Sequence, residues 1–172
     1  MIRKEMLRPG DILFFKPSAK WSIGSWLVTW GQNLIGKSPI HGVSYNHVAL
    51  IDNDVDYMLE SRWPKSHRKK INWVKLEKQY DLELWRVRGA KPQQVKLALN
   101  WAHDHLNEWY DLGLFVFGWF DRKKAEVCST YVAKAWRYAG IRFEYNKDMG
   151  VSKFFHSPDE LAANTHIIKR IA

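Results

Sequence analysis

The sequence has 172 residues, 46% of them hydrophobic and 26% charged, which is typical of a globular protein and predicts a single domain over residues 1–172. Its single cysteine excludes an intramolecular disulfide, and a chain of this length can bury a sufficient hydrophobic core without one. The net charge of +9 attracts anions in general, but no recognisable nucleic-acid-binding motif accompanies it, so we expect no nucleic-acid partner.

The N-terminal segment contains basic residues but no apolar run. We therefore expect no signal peptide, and a protein that is cytoplasmic as made or released by lysis. The longest apolar stretch, Leu112–Phe120, contains two glycines and is far shorter than the roughly 18 apolar residues of a membrane span. We expect no transmembrane segment.

The first predicted element is a strand at Ile12–Phe15, which follows a turn at Pro9–Asp11. Trp21–Ile35 has a roughly helical spacing of large apolar residues and predicts a short helix, and a loop is expected from Gly36 to Tyr45. Two strands, His47–Ile51 and Tyr57–Ser61, then flank a turn-rich segment, which predicts a hairpin.

The second half of the chain predicts a mixture of strands and helices. The expected elements are a solvated loop at Lys65–Lys70, a strand at Leu82–Val87, a helix from Pro92 that includes Leu106, a helix at Cys128–Ala139 stopped by Gly140, a strand at Ile141–Tyr145, and a short helix N-capped by Ser157 with Glu160 three residues on. Strands and helices are segregated more than they alternate, which predicts the α+β class with an antiparallel sheet.

Cys128 carries the strongest functional signal. It stands at the predicted start of a helix, where unpaired backbone N–H groups and the helix dipole stabilise a thiolate. Ser129 and Thr130 follow it, and the amphipathic run Tyr131–Ala139 can anchor it on a rigid element. The alternative for any single cysteine is a packing role in the core.

His47 and Glu60 are the predicted partners of this cysteine. A hairpin turn centred between Asn53 and Asp54 places Glu60 directly opposite His47 on one face of the sheet, with Cβ atoms about 5 Å apart. Glu60 is otherwise an acid in an apolar strand, where a charge needs a partner. The alternatives are a hydrogen-bonded structural histidine and a carboxylate that reaches solvent at a sheet edge.

These three residue types match the requirements of a cysteine nucleophile. An imidazolium beside a thiol makes the thiolate its resting form and can later protonate a leaving amine. The carboxylate fixes the histidine tautomer and stabilises the positive ring. The backbone N–H of Cys128 can supply one oxyanion donor, and Tyr45 is a candidate for the second.

Six sequence blocks resemble the circularly permuted NlpC-type cysteine peptidases, which include the YiiX- and YebB-like amidases and, more distantly, lecithin retinol acyltransferase. The blocks are Leu7–Phe15, Asn46–Ile51, Met58–Glu60, Tyr110–Asp111, Val127–Val132 and Ser157–Leu161. They follow the family's order over nearly the whole chain, with His before the acid and the acid before Cys. The resemblance implies a papain-like α+β fold in which a helix bearing the cysteine packs on a small antiparallel sheet. It implies Cys128 as nucleophile, His47 as base and Glu60 as third member.

The expected function is hydrolysis of amide bonds in peptides or in cell-wall stem peptides, with an anionic wall polymer favoured by the basic charge. One alternative is an acyltransferase or lipid thioesterase with the same triad, which would use Leu112–Phe120 at a membrane. Another is a basic binding module without enzymatic activity. His103 and His105 do not share a helix face, so they predict helix surface rather than a metal site, and we expect no cofactor or metal.

Overall fold

The computed structural model of the protein describes residues 2–18, 45–110, 127–144 and 158–172. The predicted helix at Trp21–Ile35, the apolar stretch Leu112–Phe120 and the predicted N-cap Ser157 lie outside these residues. Every statement below concerns the described part of the chain.

Six strands form one antiparallel sheet in this part of the chain. They are β1 (Ile12–Pro17), β2 (His47–Ile51), β3 (Tyr57–Arg62), β4 (Lys65–Lys70), β5 (Tyr80–Val87) and β6 (Ile168–Arg170). Their order across the sheet is β4-β3-β2-β1-β5-β6, so that β4 and β6 are the edges. The predicted α+β class with an antiparallel sheet is confirmed.

Four α-helices accompany this sheet, after a 3-10 turn at Lys4–Met6. They are α1 (Trp73–Gln79), α2 (Pro92–Asp104), α3 (Cys128–Tyr138) and α4 (Pro158–Ala163). The helices predicted from Pro92 and from Cys128 are present, whereas α1 and β6 were not predicted. None of the helices that the structure describes is long and apolar enough to cross a membrane.

Both faces of the sheet are covered. On the helical face, β-strand residues such as Phe14, Leu50 and Leu59 belong to one core cluster with residues of α2 and α3, including Leu99 and Trp136. The alternate strand residues form a second cluster on the opposite face, with α1 and the N-terminal segment; it contains Leu13, Phe15, Ala49, Ile51, Met58, Leu76 and Leu84. Alternation along the strands thus produces two apolar layers, and a charged side chain between them requires a bound partner.

The prediction of a solvated loop at Lys65–Lys70 is wrong. This segment is the edge strand β4, which pairs with β3 over six residue pairs, from Tyr57 opposite Lys70 to Arg62 opposite Lys65. Ser66 points inward and donates to the carbonyl of His105 at 2.7 Å. The sequence pattern predicted a loop because an edge strand can carry basic side chains that face water, as a solvated loop does.

The strand predicted at Ile141–Tyr145 is also wrong for its described part, residues 141–144, which contain no strand. The side chain of Asn164 takes the place of a neighbouring strand. Its Oδ1 accepts from the backbone N–H of Glu144 at 2.7 Å, and its Nδ2 donates to the Glu144 carbonyl at 3.2 Å. The backbone groups of Glu144 are therefore satisfied without a sheet partner.

Candidate active site

The β2–β3 hairpin brings His47 and Glu60 together through a register that differs from the predicted one. Leu50 pairs with Leu59 and Ile51 pairs with Met58, which moves the pairing by two residues. His47 and Glu60 are therefore diagonal neighbours rather than directly opposite residues. A shift of two residues keeps every side chain on its own face of the sheet, so the contact survives the error.

The shift in register has its cause in the turn. The backbone N–H of Asp52 donates to the carbonyl of Tyr57 at 3.0 Å, and the N–H of Tyr57 donates to the carbonyl of Asp54 at 2.8 Å. The Asp54 carboxylate also accepts from the N–H of Asp56 at 3.1 Å. These bonds centre the turn between Asp54 and Val55, one residue later than the sequence pattern indicated.

Glu60 is fully buried on β3 and is bound through both carboxylate oxygens. His47 Nε2 lies 2.5 Å from Oε2, and His67 Nε2 lies 3.0 Å from Oε1. The ammonium of Lys69 is 3.8 Å from Oε1. Burial alone would raise the pKa of Glu60, but the hydrogen bond from His47 to Oε2 and the ion-pair contact of His67 with Oε1, which has no aligned hydrogen bond in the described structure, outweigh it and lower the pKa well below its usual range. Glu60 is therefore an anion at neutral pH.

Cys128 is the first residue of α3, and its thiol is free and almost completely buried. Val127 precedes it with an extended backbone (φ −91°, ψ 161°), so the helix begins at the cysteine. α3 packs against β2 and β3, the two strands of the hairpin. Cys128 is close enough to His47 to raise the pKa of the imidazole ring.

His47 connects the cysteine to the carboxylate. Its side chain is 12% exposed, and its ring centroid lies 5.0 Å from that of Phe15. Burial opposes a charge on the ring, but the charge and hydrogen bond of Cys128, together with Glu60, outweigh burial and raise the pKa of His47 to about 9. The ring is therefore an imidazolium at neutral pH, the form that stabilises a neighbouring thiolate.

The structure thus brings together all three residues predicted as a site: Cys128, His47 and Glu60. Tyr45, the candidate for a second oxyanion donor, does not offer its hydroxyl to this group. Its hydroxyl donates to Glu83 Oε2 at 2.5 Å. Its backbone N–H donates to Asp159 Oδ1 at 2.8 Å.

Two buried oxygen atoms without a hydrogen-bond partner in the described structure adjoin the site residues in sequence. They are Asn46 Oδ1, one residue before His47, and Thr130 Oγ1, two residues after Cys128. Unpaired buried polar atoms are rare because they cost free energy, and they often mark positions with a role beyond packing. These two atoms are candidate contacts for a polar ligand.

His67 is the residue that the sequence analysis missed. It pairs with Glu60 across β3 and β4, so the two side chains lie on the same face of the sheet. The pairing could have been found from the turn, since Trp63 and Pro64 form a two-residue connection midway between Glu60 and His67. The basic composition of Lys65–Lys70 concealed this strand and its inward-facing histidine.

The two histidines on α2 were predicted to be helix surface, and both make specific contacts. His103 Nε2 lies 2.8 Å from Asp52 Oδ1 and connects the helix to the hairpin turn. His105 follows the helix and stacks on Trp101, with ring centroids 3.8 Å apart. Within the described ranges, no group of three or more His, Cys, Asp or Glu side chains could hold a metal ion.

Comparison with known proteins gives no match for this chain. No model of a known protein family matches the sequence, and no curated protein is significantly similar to it.

Proposed function

We propose that the protein is a cysteine-nucleophile hydrolase that cleaves amide bonds, with Cys128 as nucleophile, His47 as base and acid, and Glu60 as the residue that orients His47. One observation carries the proposal. The chain's single cysteine lies at a helix start beside a histidine whose other ring nitrogen is bound, at 2.5 Å, by a fully buried carboxylate.

The reaction uses these groups in two stages. The Cys128 sulfur attacks the carbonyl carbon of the substrate, the C–N bond breaks, and His47 gives its Nδ1 proton to the leaving amine, which leaves a thioester. Neutral His47 then removes a proton from water, the hydroxide attacks the thioester, and the thiolate leaves with the imidazolium restored. Glu60 holds Nε2 and stabilises the positive ring in each stage.

The start of α3 supports the charge that develops on the substrate oxygen. The N–H of Cys128 belongs to the first helical turn and has no partner within the helix, so it can donate to an oxyanion. The helix dipole adds positive potential at the same point. A position at a helix start therefore favours both the thiolate and the tetrahedral intermediate.

The substrate class proposed is a peptide amide, with a cell-wall stem peptide favoured. The resemblance of six sequence blocks to the permuted NlpC-type peptidases, and the shared order of His47, Glu60 and Cys128 along the chain, support this choice. The net charge of +9 favours substrates within an anionic wall polymer.

The test combines thiolate formation with turnover. Because Cys128 is the only cysteine, the ultraviolet absorbance of its thiolate and its alkylation by iodoacetamide both report on this residue alone. We expect thiolate absorbance and alkylation to persist at pH 6 in the wild type and to fall sharply in His47→Ala. A thiolate that appears only near pH 8.5, as in an unperturbed thiol, contradicts the proposal.

Turnover is measured on a fluorogenic peptide amide and on soluble muropeptides. Cys128→Ser should lower hydrolysis by roughly 10³-fold or more. It should move Tm by less than about 4 °C, because one atom changes and no disulfide is lost. Near-full activity in folded Cys128→Ser would show that the nucleophile is another group.

A second candidate function, acyl transfer or thioester hydrolysis on lipids with the same three residues, is favoured by one exposed surface. Trp63 and Trp109 are 66% and 61% exposed. They lie on the same corner, because Lys65 bridges to Trp109 and its ammonium sits 4.5 Å from the centroid of that ring. Exposed tryptophans beside basic side chains are typical of contacts with a membrane interface.

Vesicles distinguish this candidate from the amidase. Cosedimentation with vesicles of anionic phospholipid should fall in the double variant Trp63→Ala/Trp109→Ala, and a lipid acyl ester should be turned over faster than the peptide amide. Tyr138→Ala, which removes an equally exposed ring from the far end of α3, is the matched control. If the wild-type protein does not bind these vesicles, the exposed tryptophans no longer support the lipid candidate.

A further inference from the structure

His67 binds the opposite side of the carboxylate that orients the base. The two histidines divide the two oxygens of Glu60 between them, with His47 Nε2 at 2.5 Å from Oε2 and His67 Nε2 at 3.0 Å from Oε1. They reach it from different strands, β2 and β4, on either side of β3. The carboxylate is therefore held at both oxygens by histidines from the two neighbouring strands.

The second nitrogen of His67 fixes its protonation state. Its Nδ1 lies 2.9 Å from the carbonyl oxygen of Lys65. Both ring nitrogens thus face acceptors, and only the imidazolium has a proton for each of them. The contact with the Glu60 carboxylate raises the pKa of His67, which favours the same form. His67 is the more accessible of the two histidines, with 38% of its side chain exposed.

The charged and titratable groups around this cluster come from three strands and one helix. Glu60 and Arg62 belong to β3, His47 to β2, His67 and Lys69 to β4, and Cys128 to α3. Although burial opposes the charge of Arg62, its contacts with Tyr80 and Glu60 raise its pKa, so it stays charged at neutral pH. His67 is therefore the histidine that adds positive charge on the far side of Glu60.

We propose that His67 is a positioning residue of the site, one that fixes the Glu60 carboxylate for His47 and, through its positive charge, lowers the proton affinity of His47. This inference rests on the proposed function, in which His47 transfers protons. Without His67, Oε1 would lose its partner and Glu60 could rotate away from Nε2. Without the charge of His67, Glu60 would hold the His47 proton more tightly.

Two variants separate the contact between His67 and Glu60 Oε1 from the positive charge of the His67 ring. His67→Gln keeps an N–H donor for Oε1 but removes the charge, whereas His67→Phe removes both and keeps a planar ring. Lys69→Gln is added to each variant and to the reference protein, because its ammonium at 3.8 Å could move in to replace His67. His166→Gln is the matched control, since His166 is an exposed histidine whose partner is Glu144.

The first readout is the titration of His47, followed by NMR of its ring. Loss of a positive charge on the far side of Glu60 should raise the pKa of His47 by about one unit in His67→Gln, which keeps Glu60 in place; in His67→Phe, rotation of Glu60 away from Nε2 should offset this rise. His166→Gln should leave the titration unchanged. This readout does not require turnover, so it remains informative if the protein hydrolyses no amide and the proposed function fails.

The second readout is kcat and KM on the fluorogenic peptide amide. His67→Phe should lower kcat by roughly ten- to a hundredfold with KM little changed, because the base is mispositioned and substrate binding is not. His67→Gln should recover most of that loss. Equal losses in kcat for Gln and Phe with an unmoved His47 titration would reduce His67 to a packing residue and overturn the proposal, as would wild-type kcat and titration in His67→Phe.

Discussion

Two buried glutamates of the same sheet differ in the groups that bind them. Glu83 on β5 is bound by side chains other than histidine: Lys16, Tyr45, Trp85 and Arg170. Glu60 on β3 is bound by two histidines, His47 and His67. Both carboxylates have lowered pKa values, because hydrogen bonds and nearby positive charge outweigh their burial. The side chains that bind a buried carboxylate therefore decide whether a proton can be exchanged at its site.

The comparison shows that a buried glutamate can have a structural role in one strand and a chemical role in another. Lys16, Tyr45 and Arg170 belong to or adjoin different strands, so Glu83 ties the middle of the sheet to its β6 edge. The partner His47 has a second nitrogen directed to Cys128, so the anion of Glu60 acts on a reactive group. A buried acid bound by histidine is thus the stronger indication of a site.

The sharpest test of this contrast is the loss of charge at each carboxylate. Glu60→Gln keeps an acceptor for His47 but removes the charge that stabilises the imidazolium, so kcat on a peptide amide should fall by roughly 10²-fold. Glu83→Gln should keep kcat within about threefold, since none of its partners exchanges a proton in the reaction. Comparable losses of kcat in the two folded variants would break the distinction.

Stability should respond in the opposite order. In Glu83→Gln the buried cluster keeps its cations but loses its anion, which should lower the free energy of unfolding by about 3 kcal/mol. In Glu60→Gln, His47 can release its proton and become neutral, so a loss of about 1 kcal/mol is expected. Urea denaturation at pH 7 measures both values. A larger loss in Glu60→Gln would mean that His47 cannot leave its charged state.

A further prediction concerns another buried acid, Asp159 on α4, which accepts from the backbone N–H of Tyr45. Here burial dominates and raises the pKa of the carboxyl to about 6. The folded state binds the proton more tightly than the unfolded state, so this group lowers stability as pH rises from about 4 to 6.

Asp159→Asn removes this charge and keeps the acceptor for Tyr45. The variant should be more stable than the wild type by about 1–2 kcal/mol at pH 7 and no more stable at pH 4. Thermal unfolding at the two pH values gives the comparison. A variant that is less stable at pH 7 would show that the carboxylate has a stabilising cation, as Glu60 and Glu83 do.

The sequence predicts the parts of the site that depend on local patterns. Alternation of apolar residues defines β2 and β3 and puts His47 and Glu60 on one face, and a cysteine before an amphipathic run defines the start of α3. The predicted register of β2 and β3 was wrong by two residues because the Asp54 side chain bonds within the turn, whose centre lies one residue later than predicted. His67 was missed because a basic edge strand and a solvated loop have the same composition.

The sheet order could not be predicted from the chain. The central pairing of β1 with β5 joins residues that are about seventy positions apart, and β6 joins the sheet from the far end of the sequence. Such contacts depend on packing between distant segments, which periodicity within a short window does not report. The cluster around Glu83 was missed for this reason, since its members come from four separate segments.

The two edges of the sheet also bear on whether copies of this aromatic-rich chain can associate edge to edge. An unpaired edge strand offers free N–H and C=O groups to a second copy. The edge strand β4 carries Lys65, Arg68, Lys69 and Lys70, and the other edge, β6, is three residues long and includes Lys169 and Arg170. Joining any two of these edges would bring like charges within a strand spacing of about 4.8 Å. The basic residues of β4, the strand that also supplies His67, thus oppose edge-to-edge association. A substitution that neutralises β4 to aid ligand binding would also make this strand more prone to aggregation.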